Sequence, residues 1–262
     1  MRKEFVSLIV VVTVVGFCGS TALALDPIGP PVAGCQQGQF SAGFEFATGE
    51  MDLEVSGPGI STSGPGRQAV LKDVENNKYF ARIGYGISDD WEIFTRLGLV
   101  DAEADADSGS DFESDHEFAF GVGTKKTFVD NGDVKWGAVF QFSWTELDDK
   151  LPASSVFANN ALSVSAGNKV EVDWYEIQLA LGPQWMIDEG IYIYGGPFLH
   201  FLEGDADEET SSGRNEYELE QESEFGGFVG CLFEVDPHIV VNVEGQLMSD
   251  AWLLAAGVTW LF

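Results

Sequence analysis

The sequence has few basic residues. Thirteen Lys and Arg stand against 43 Asp and Glu, which gives a formal net charge of −30 at pH 7. A surface this negative repels nucleic acids and anionic lipid surfaces, and it attracts cations or basic partners. We therefore expect no nucleic-acid partner.

Cysteine is also scarce, and the three cysteines do not make a disulfide framework. Cys18 directly follows the N-terminal apolar run and would be removed with the predicted signal peptide. Cys35 and Cys231 remain, either as one pair or as two free thiols, and the second alternative is favoured.

Apolar runs long enough for a membrane-spanning helix are missing. Arg2 and Lys3 precede the 13-residue run "FVSLIVVVTVVGF", and an A-x-A site at Ala22-Leu23-Ala24 follows it. This pattern predicts a signal peptide over residues 1–24, then a periplasmic N-terminal segment over 25–37 and the main domain over 38–262. Because no later apolar stretch approaches the ~20 residues of a spanning helix, we exclude a helical membrane protein.

Two-residue alternation fills the rest of the chain. Segments such as "VKWGAVFQFSW" carry large apolar side chains at every second position and Gly, polar or charged residues between them. We count about ten such segments, joined alternately by short turns and by longer links. The segment "IYIYGGPFLHFL" is apolar on both faces, so its orientation stays open.

The character of the two faces favours a membrane barrel over a soluble sandwich. A sandwich turns its polar face to water and seldom carries so much glycine there, whereas a membrane barrel turns its apolar face to lipid. We predict an all-β, transmembrane antiparallel β-barrel of about ten strands, with short periplasmic turns and long extracellular loops. Inward charges should pair and leave a narrow or blocked lumen; they are Glu45, Arg82, Glu92, Arg96, Lys135, Glu176 and Glu244.

Tryptophan placement favours two aromatic girdles, because the indole ring prefers the membrane interface. One set lies beside the short turns or the C-terminus, namely Trp91, Trp136, Trp185 and Trp260. The other set lies towards the long loops, namely Trp144, Trp174 and Trp252.

These features together resemble the small Gram-negative outer-membrane β-barrel proteins, the broad class of OmpA-type and porin-like barrels. The resemblance covers nearly all of residues 25–262, and the terminal "GVTWLF" is similar to the assembly signal of such proteins, with Trp260 and Phe262 as its aromatic residues. It implies an outer-membrane location after export, contact with outer-membrane lipid, and the barrel assembly machinery as a folding partner. It implies no cofactor.

Acidic loops are the most conspicuous local feature. Carboxylates in residues 101–117 are weak candidates for divalent-cation ligands, namely Asp101, Glu103, Asp105, Asp107 and Asp111. The loop lacks the Gly that an EF-hand needs at its sixth position, and a solvated charged loop is the favoured alternative. A further segment is too long for the membrane alone, which predicts a hairpin projecting outside. It carries the alternating residues Glu216, Glu218, Glu220, Glu222 and Glu224.

The sequence leaves three functions open. We favour a non-enzymatic barrel that is structural or a narrow, cation-preferring porin. A surface adhesin or partner-binding barrel that uses its acidic loops is the first alternative. An outer-membrane hydrolase is the second, because His116 follows Asp115 and His200 lies near the outer rim; no catalytic residue is assigned.

Overall fold

The computed structural model describes residues 25–57, 60, 69–158, 162–210, 213–221 and 223–262, so the predicted signal peptide lies outside the described residues. In these ranges, no helix is long and apolar enough to cross a membrane. The described chain forms fourteen strands: β1 Phe40–Ser56, β2 Ala69–Ser88, β3 Trp91–Ala104, β4 Phe112–Glu113, β5 Glu117–Asp130, β6 Val134–Lys150, β7 Ser155–Phe157, β8 Leu162–Val164, β9 Lys169–Asp188, β10 Ile191–Thr210, β11 Gly213–Gln221, β12 Phe225–Asp236, β13 Ile239–Leu247 and β14 Ala251–Leu261.

Ten of these strands close an antiparallel ring in the order β1-β2-β3-β5-β6-β9-β10-β12-β13-β14. The ring closes where β14 pairs with β1, from Ser41 opposite Leu261 to Met51 opposite Ala251. The predicted fold class is confirmed, although the strand count exceeds ten because β4, β7, β8 and β11 lie outside the ring.

Side chains alternate between lipid and lumen as the two-residue period requires. On β3 and β6, Leu97 and Phe140 are 50% and 46% exposed, whereas the adjacent Arg96 and Gln141 are each 2% exposed. On the ring strands the outward face is mostly apolar, whereas the inward face carries the polar residues together with buried aromatic rings such as Phe80, Phe94 and Phe198. The ambiguous segment takes one orientation, because His200 is buried and its neighbour Leu199 is exposed.

Strand length divides the molecule into two levels. Strands β12, β13 and β14 have 12, 9 and 11 residues, close to the ~9–11 that cross a bilayer. Strands β2, β9 and β10 have 20 residues each and continue past the long-loop end. We call this continuation, with β4, β7, β8 and β11, the outer extension.

In the outer extension, β11 alone lies between β10 and β1, where the ring below has β12, β13 and β14. Strand β11 forms a hairpin with β10, from Glu203 opposite Glu220 to Thr210 opposite Gly213. Its other edge pairs with β1, from Leu53 opposite Gln221 to Ser56 opposite Glu218. The hairpin predicted from the alternating glutamates is therefore present, and it continues the wall above β12–β14.

Residues 25–37, predicted as a periplasmic segment, lie inside the ring. Leu25, Ile28 and Cys35 are each at most 2% exposed. Near the periplasmic turn, the Gln37 amide donates to Asp89 Oδ1 at 2.9 Å. The segment does not lie free in the periplasm, because buried ring side chains bind its backbone. We call it the lumen segment.

Candidate functional site

The lumen segment and the inward charges form one buried polar network. Arg96 on β3 donates through Nε to Glu45 Oε2 at 2.6 Å and through Nη1 to Gln141 Oε1 at 3.1 Å. Its Nη2 donates to the Pro27 carbonyl at 2.6 Å. Gln141 also donates to that carbonyl at 3.2 Å, so one residue of the lumen segment joins two ring strands.

Glu92 holds the other end of the lumen segment. Its Oε2 accepts the backbone amides of Gly34 at 2.7 Å and Cys35 at 3.2 Å. Its Oε1 accepts from Arg82 Nη2 at 2.5 Å. One buried carboxylate is thus satisfied by a cation and two amides, which charge burial requires.

Lys78 and Glu176 form the outermost part of the network. Lys78 Nζ lies 2.9 Å from Asp26 Oδ1 and 2.6 Å from Glu176 Oε1, and all three side chains are at most 3% exposed. Glu176 also contacts His200 Nε2 through Oε2 at 3.1 Å and accepts the Trp174 indole N–H at 3.0 Å. Every oxygen of this carboxylate is therefore engaged.

Further contacts fix the middle of the lumen segment. Glu244 Oε1 accepts the Ile28 amide at 3.0 Å, and Lys125 Nζ donates to the Pro30 carbonyl at 2.8 Å. The backbone also passes close to ring glycines, since a Cβ on Gly137 would lie 2.3 Å from the Pro31 carbonyl oxygen. The lumen segment therefore lies against the inner wall of the ring along its length.

The predicted lumen charges divide into two groups. Six are mostly buried and belong to the network, namely Glu45, Arg82, Glu92, Arg96, Glu176 and Glu244. Lys135 differs, because it lies beside a periplasmic turn, where it is 42% exposed and pairs with Asp130 at 3.0 Å. Sequence reasoning missed Lys78, Lys125 and Asp26; Lys78 shares its face of β2 with Arg82, which was the available signal.

Six of the seven tryptophans assigned to the predicted girdles are exposed or partly exposed near the two ends of the ring. Trp91, Trp136, Trp185 and Trp260 are 40–53% exposed at the periplasmic end. At the other end Trp144 and Trp252 are partly exposed, and Trp252 donates to Glu50 Oε2 at 2.8 Å. Trp174 is a correction: it is 2% exposed and faces inward, because it shares the face of Glu176 on β9.

Three of the five candidate metal ligands come together. One carboxylate oxygen each from Glu103, Asp105 and Asp111 lies within 4.8 Å of the others. Asp101 lies apart and accepts from Asn77 Nδ2 at 2.8 Å, and Asp107 is not part of the group. Burial raises the pKa of Glu103, and nearby carboxylates raise it further, the largest contribution coming from Glu113.

Each of the two candidate histidines lies beside a carboxylate, His200 in the buried network and His116 at the surface. His200 Nδ1 contacts Gln221 Oε1 at 2.5 Å, and its side chain is fully buried. His116 is 58% exposed, and its Nδ1 lies 3.5 Å from Asp101 Oδ2. The cysteines are both free, Cys35 buried and Cys231 partly buried.

No family model and no curated protein sequence matches this chain. Among solved structures, the outer membrane protease OmpT from Escherichia coli matches with a TM-score of 0.51 and 11% identity, over 91% of this chain and 99% of that chain. OprG from Pseudomonas aeruginosa gives a TM-score of 0.45 at 12% identity, over 87% and 98% of the two chains. Ail from Yersinia pestis gives 0.38 at 15% identity, over 87% and 100%. Identities this low show the fold alone, and that fold is the small outer-membrane β-barrel that the sequence resembles.

Proposed function

We propose that this protein is a structural outer-membrane barrel whose lumen is closed to ions. Its export by the predicted signal peptide, its assembly through Trp260 and Phe262, and its lack of enzymatic activity are parts of the same proposal. The observation that carries it is the lumen segment, which buried ring side chains bind from Asp26 to Cys35.

Ion pairing in the lumen argues against a constitutive cation pore. The ring contributes four buried bases, Lys78, Arg82, Arg96 and Lys125, and four largely buried acids, Glu45, Glu92, Glu176 and Glu244. Three of these bases lie within 2.6 Å of an acid, and charges held in such pairs are less able to attract a passing ion. Cation preference would come from the acidic outer loops, and only in a barrel that has been opened.

The absence of enzymatic activity is supported by the burial of His200. A general base must come within hydrogen-bond reach of a substrate proton. His200 is 0% exposed, and its ring nitrogens contact Gln221 and Glu176. A substrate therefore has no access to this pair.

Partner binding by the outer extension is a second candidate. On β11, Glu216, Glu218 and Glu220 are exposed, while Tyr217 and Leu219 between them point inward. A row of carboxylates on one face favours a basic partner. Replacing the three glutamates by Gln should abolish binding of a basic peptide such as oligolysine to whole cells, and unchanged binding would dismiss this role.

The experiment for the closed lumen is conductance in planar bilayers. The refolded mature protein should show no steady channels, whereas Gly137→Ala, which pushes against the Pro31 carbonyl, and a variant lacking residues 25–37 should show small ones. Gly245→Ala is the matched control, since its Cβ would meet Leu254 at an ordinary 3.6 Å. Heat-modifiable migration on a detergent gel verifies folding of each variant. Steady conductance by the wild-type barrel would refute the proposal.

A further inference from the structure

The lumen segment lies in the ring with its N-terminal end deepest. Gln37 is bound at a periplasmic turn, Pro27 lies further in against β3 and β6, and Asp26 reaches the outermost part of the network. Leu25, the residue that follows the predicted signal peptide, is 0% exposed. Its backbone nitrogen is therefore enclosed within the barrel.

The space beyond Leu25 is too small for a signal peptide that is still attached. Outward of the network, the inward-facing side chains are apolar and buried, as at Trp174, Val172 and Val74. The cavity among them measures about 80 Å³, less than the ~150 Å³ of an apolar cavity that takes one benzene molecule. The lumen segment can therefore occupy this position once residues 1–24 have been removed.

Acids outnumber bases around the deep end of the lumen segment. Lys78 is shared by Asp26 and Glu176, and His200 contacts Glu176 as well. Glu244 is 1% exposed, its Oε2 has no hydrogen-bond partner, and no base forms an ion pair with it among the described residues. Even a protonated His200 leaves three acids with two cations. A buried charge without a partner is costly, so this end of the lumen requires one more positive group.

Glu244 lies against the first residues of the lumen segment. Its Oε1 accepts the Ile28 amide at 3.0 Å and Gln246 Nε2 at 2.9 Å. The same Gln246 nitrogen donates to the Asp26 carbonyl at 2.8 Å. Since consecutive Cα atoms are ~3.8 Å apart, the Leu25 nitrogen belongs to the same part of the lumen as this carboxylate.

We propose that cleavage of the Ala24–Leu25 bond creates the cation of this site, the α-ammonium group of Leu25, which compensates the excess carboxylate at Glu244. The inference rests on the signal-peptide cleavage that is part of the proposed function. Hydrolysis of the bond consumes one water molecule and leaves a carboxylate on Ala24 and an amine on Leu25. An α-amine titrates near ~7.7–8.0 in water, so at pH 7 it is an ammonium that donates three hydrogen bonds. Processing thus supplies the charge that fixes the lumen segment in the ring.

The test compares the mature chain that begins at Leu25 with the same chain acetylated at its α-amine before folding. Acetylation near pH 7 favours this amine because lysine side chains titrate near ~10.4. In a Cys231→Ser background, the buried Cys35 is the remaining thiol of the mature chain, and its reaction with a maleimide reports release of the lumen segment. At a fixed, subdenaturing urea concentration, acetylation should raise the labelling rate at least tenfold.

Glu244→Gln separates the lost charge from the added bulk of the acetyl group. It should raise the labelling rate of the chain with the free amine and lower that of the acetylated chain. Glu234→Gln, which neutralises an exposed acid on β12, is the matched control and should change neither rate. The proposal is overturned if acetylation leaves the rate unchanged, or if Glu244→Gln acts in the same direction in both chains. Should the acetylated chain not fold, restoration of folding by Glu244→Gln supports the proposal, and its failure to do so contradicts it.

The mass of the barrel purified from outer membranes gives a second readout. It should correspond to a chain that begins at Leu25, and any other first residue would refute the inference. Neither measurement uses conductance, so the closed lumen is tested separately from the charge at its deep end.

Discussion

Replacing Lys78 by Met tests whether the buried network holds the barrel together. Lys78 is 1% exposed and forms ion pairs with both Asp26 and Glu176. Met preserves most of the length and the apolar stem while removing the charge. In the variant, two buried carboxylates lose their cation. His200 and Trp174 still contact Glu176, whereas Asp26 keeps neither contact.

The magnitude follows from the burial of the pair. Removing one partner of a buried ion pair costs about 3–5 kcal/mol, because the remaining charge is left uncompensated. Lys126→Met is the matched control: Lys126 on β5 pairs with Asp90 in the turn between β2 and β3, and both side chains are about half exposed. An exposed pair of this kind contributes about 0–1 kcal/mol. The two substitutions are chemically the same and should differ severalfold in cost.

The assay is denaturant unfolding of the folded barrel in lipid vesicles, with the free energy of unfolding extrapolated to water. Lys78→Met should lose about 3–5 kcal/mol and Lys126→Met at most about 1 kcal/mol. Lowering the pH to about 4 should shrink the Lys78→Met deficit, since a protonated carboxyl group costs less to bury. A Lys78→Met barrel within about 1 kcal/mol of wild type would show that the network is not a stabilising element.

Three further outcomes are expected. The pKa of Glu103 is raised in the folded state, so the fold loses stability as pH rises through that pKa. Glu103→Gln should therefore stabilise the barrel near pH 7 and leave its stability unchanged near pH 3. Equal effects at the two pH values would contradict the raised pKa. Trp174→Phe removes a hydrogen bond to a carboxylate and should cost about 1.5–3 kcal/mol in the same unfolding assay, whereas the lipid-facing Trp136→Phe should cost less. Deleting Phe262, whose side chain is 74% exposed, should lower the amount of assembled barrel in cells with little change in unfolding in vitro; normal assembly would remove it from the assembly signal.

The ring could be predicted from the sequence because one period decides both strand formation and side-chain direction. Phe140 and Gln141 differ by one position and point to opposite sides, as alternation requires. The same rule contained the correct place of Trp174, two residues before the inward Glu176. The inward orientation of Trp174 was not predicted, because the tryptophans were grouped by the end of the strand on which they lie and not by the face of the strand.

The lumen segment could not be predicted by these means. It has no two-residue period, and several of its bonds run through backbone groups, such as the Pro27 and Pro30 carbonyls. Hydrogen bonds to backbone carbonyls do not depend on which side chain the residue carries, so the amino-acid pattern does not reveal them. The outer extension was underestimated for a related reason, because polar strands such as the end of β9 look like loops when only apolar alternation is counted.

The position of the lumen segment constrains how the molecule can be built. The segment directly precedes β1, and β1 meets β14 only when the two ends of the sheet come together. If β1 and β14 pair last, the segment must already lie inside the curved sheet when they do. Otherwise it must enter the closed ring afterwards through one of its ends. The order in which the β1–β14 seam closes and the segment enters the ring therefore decides which route of folding is open to the chain.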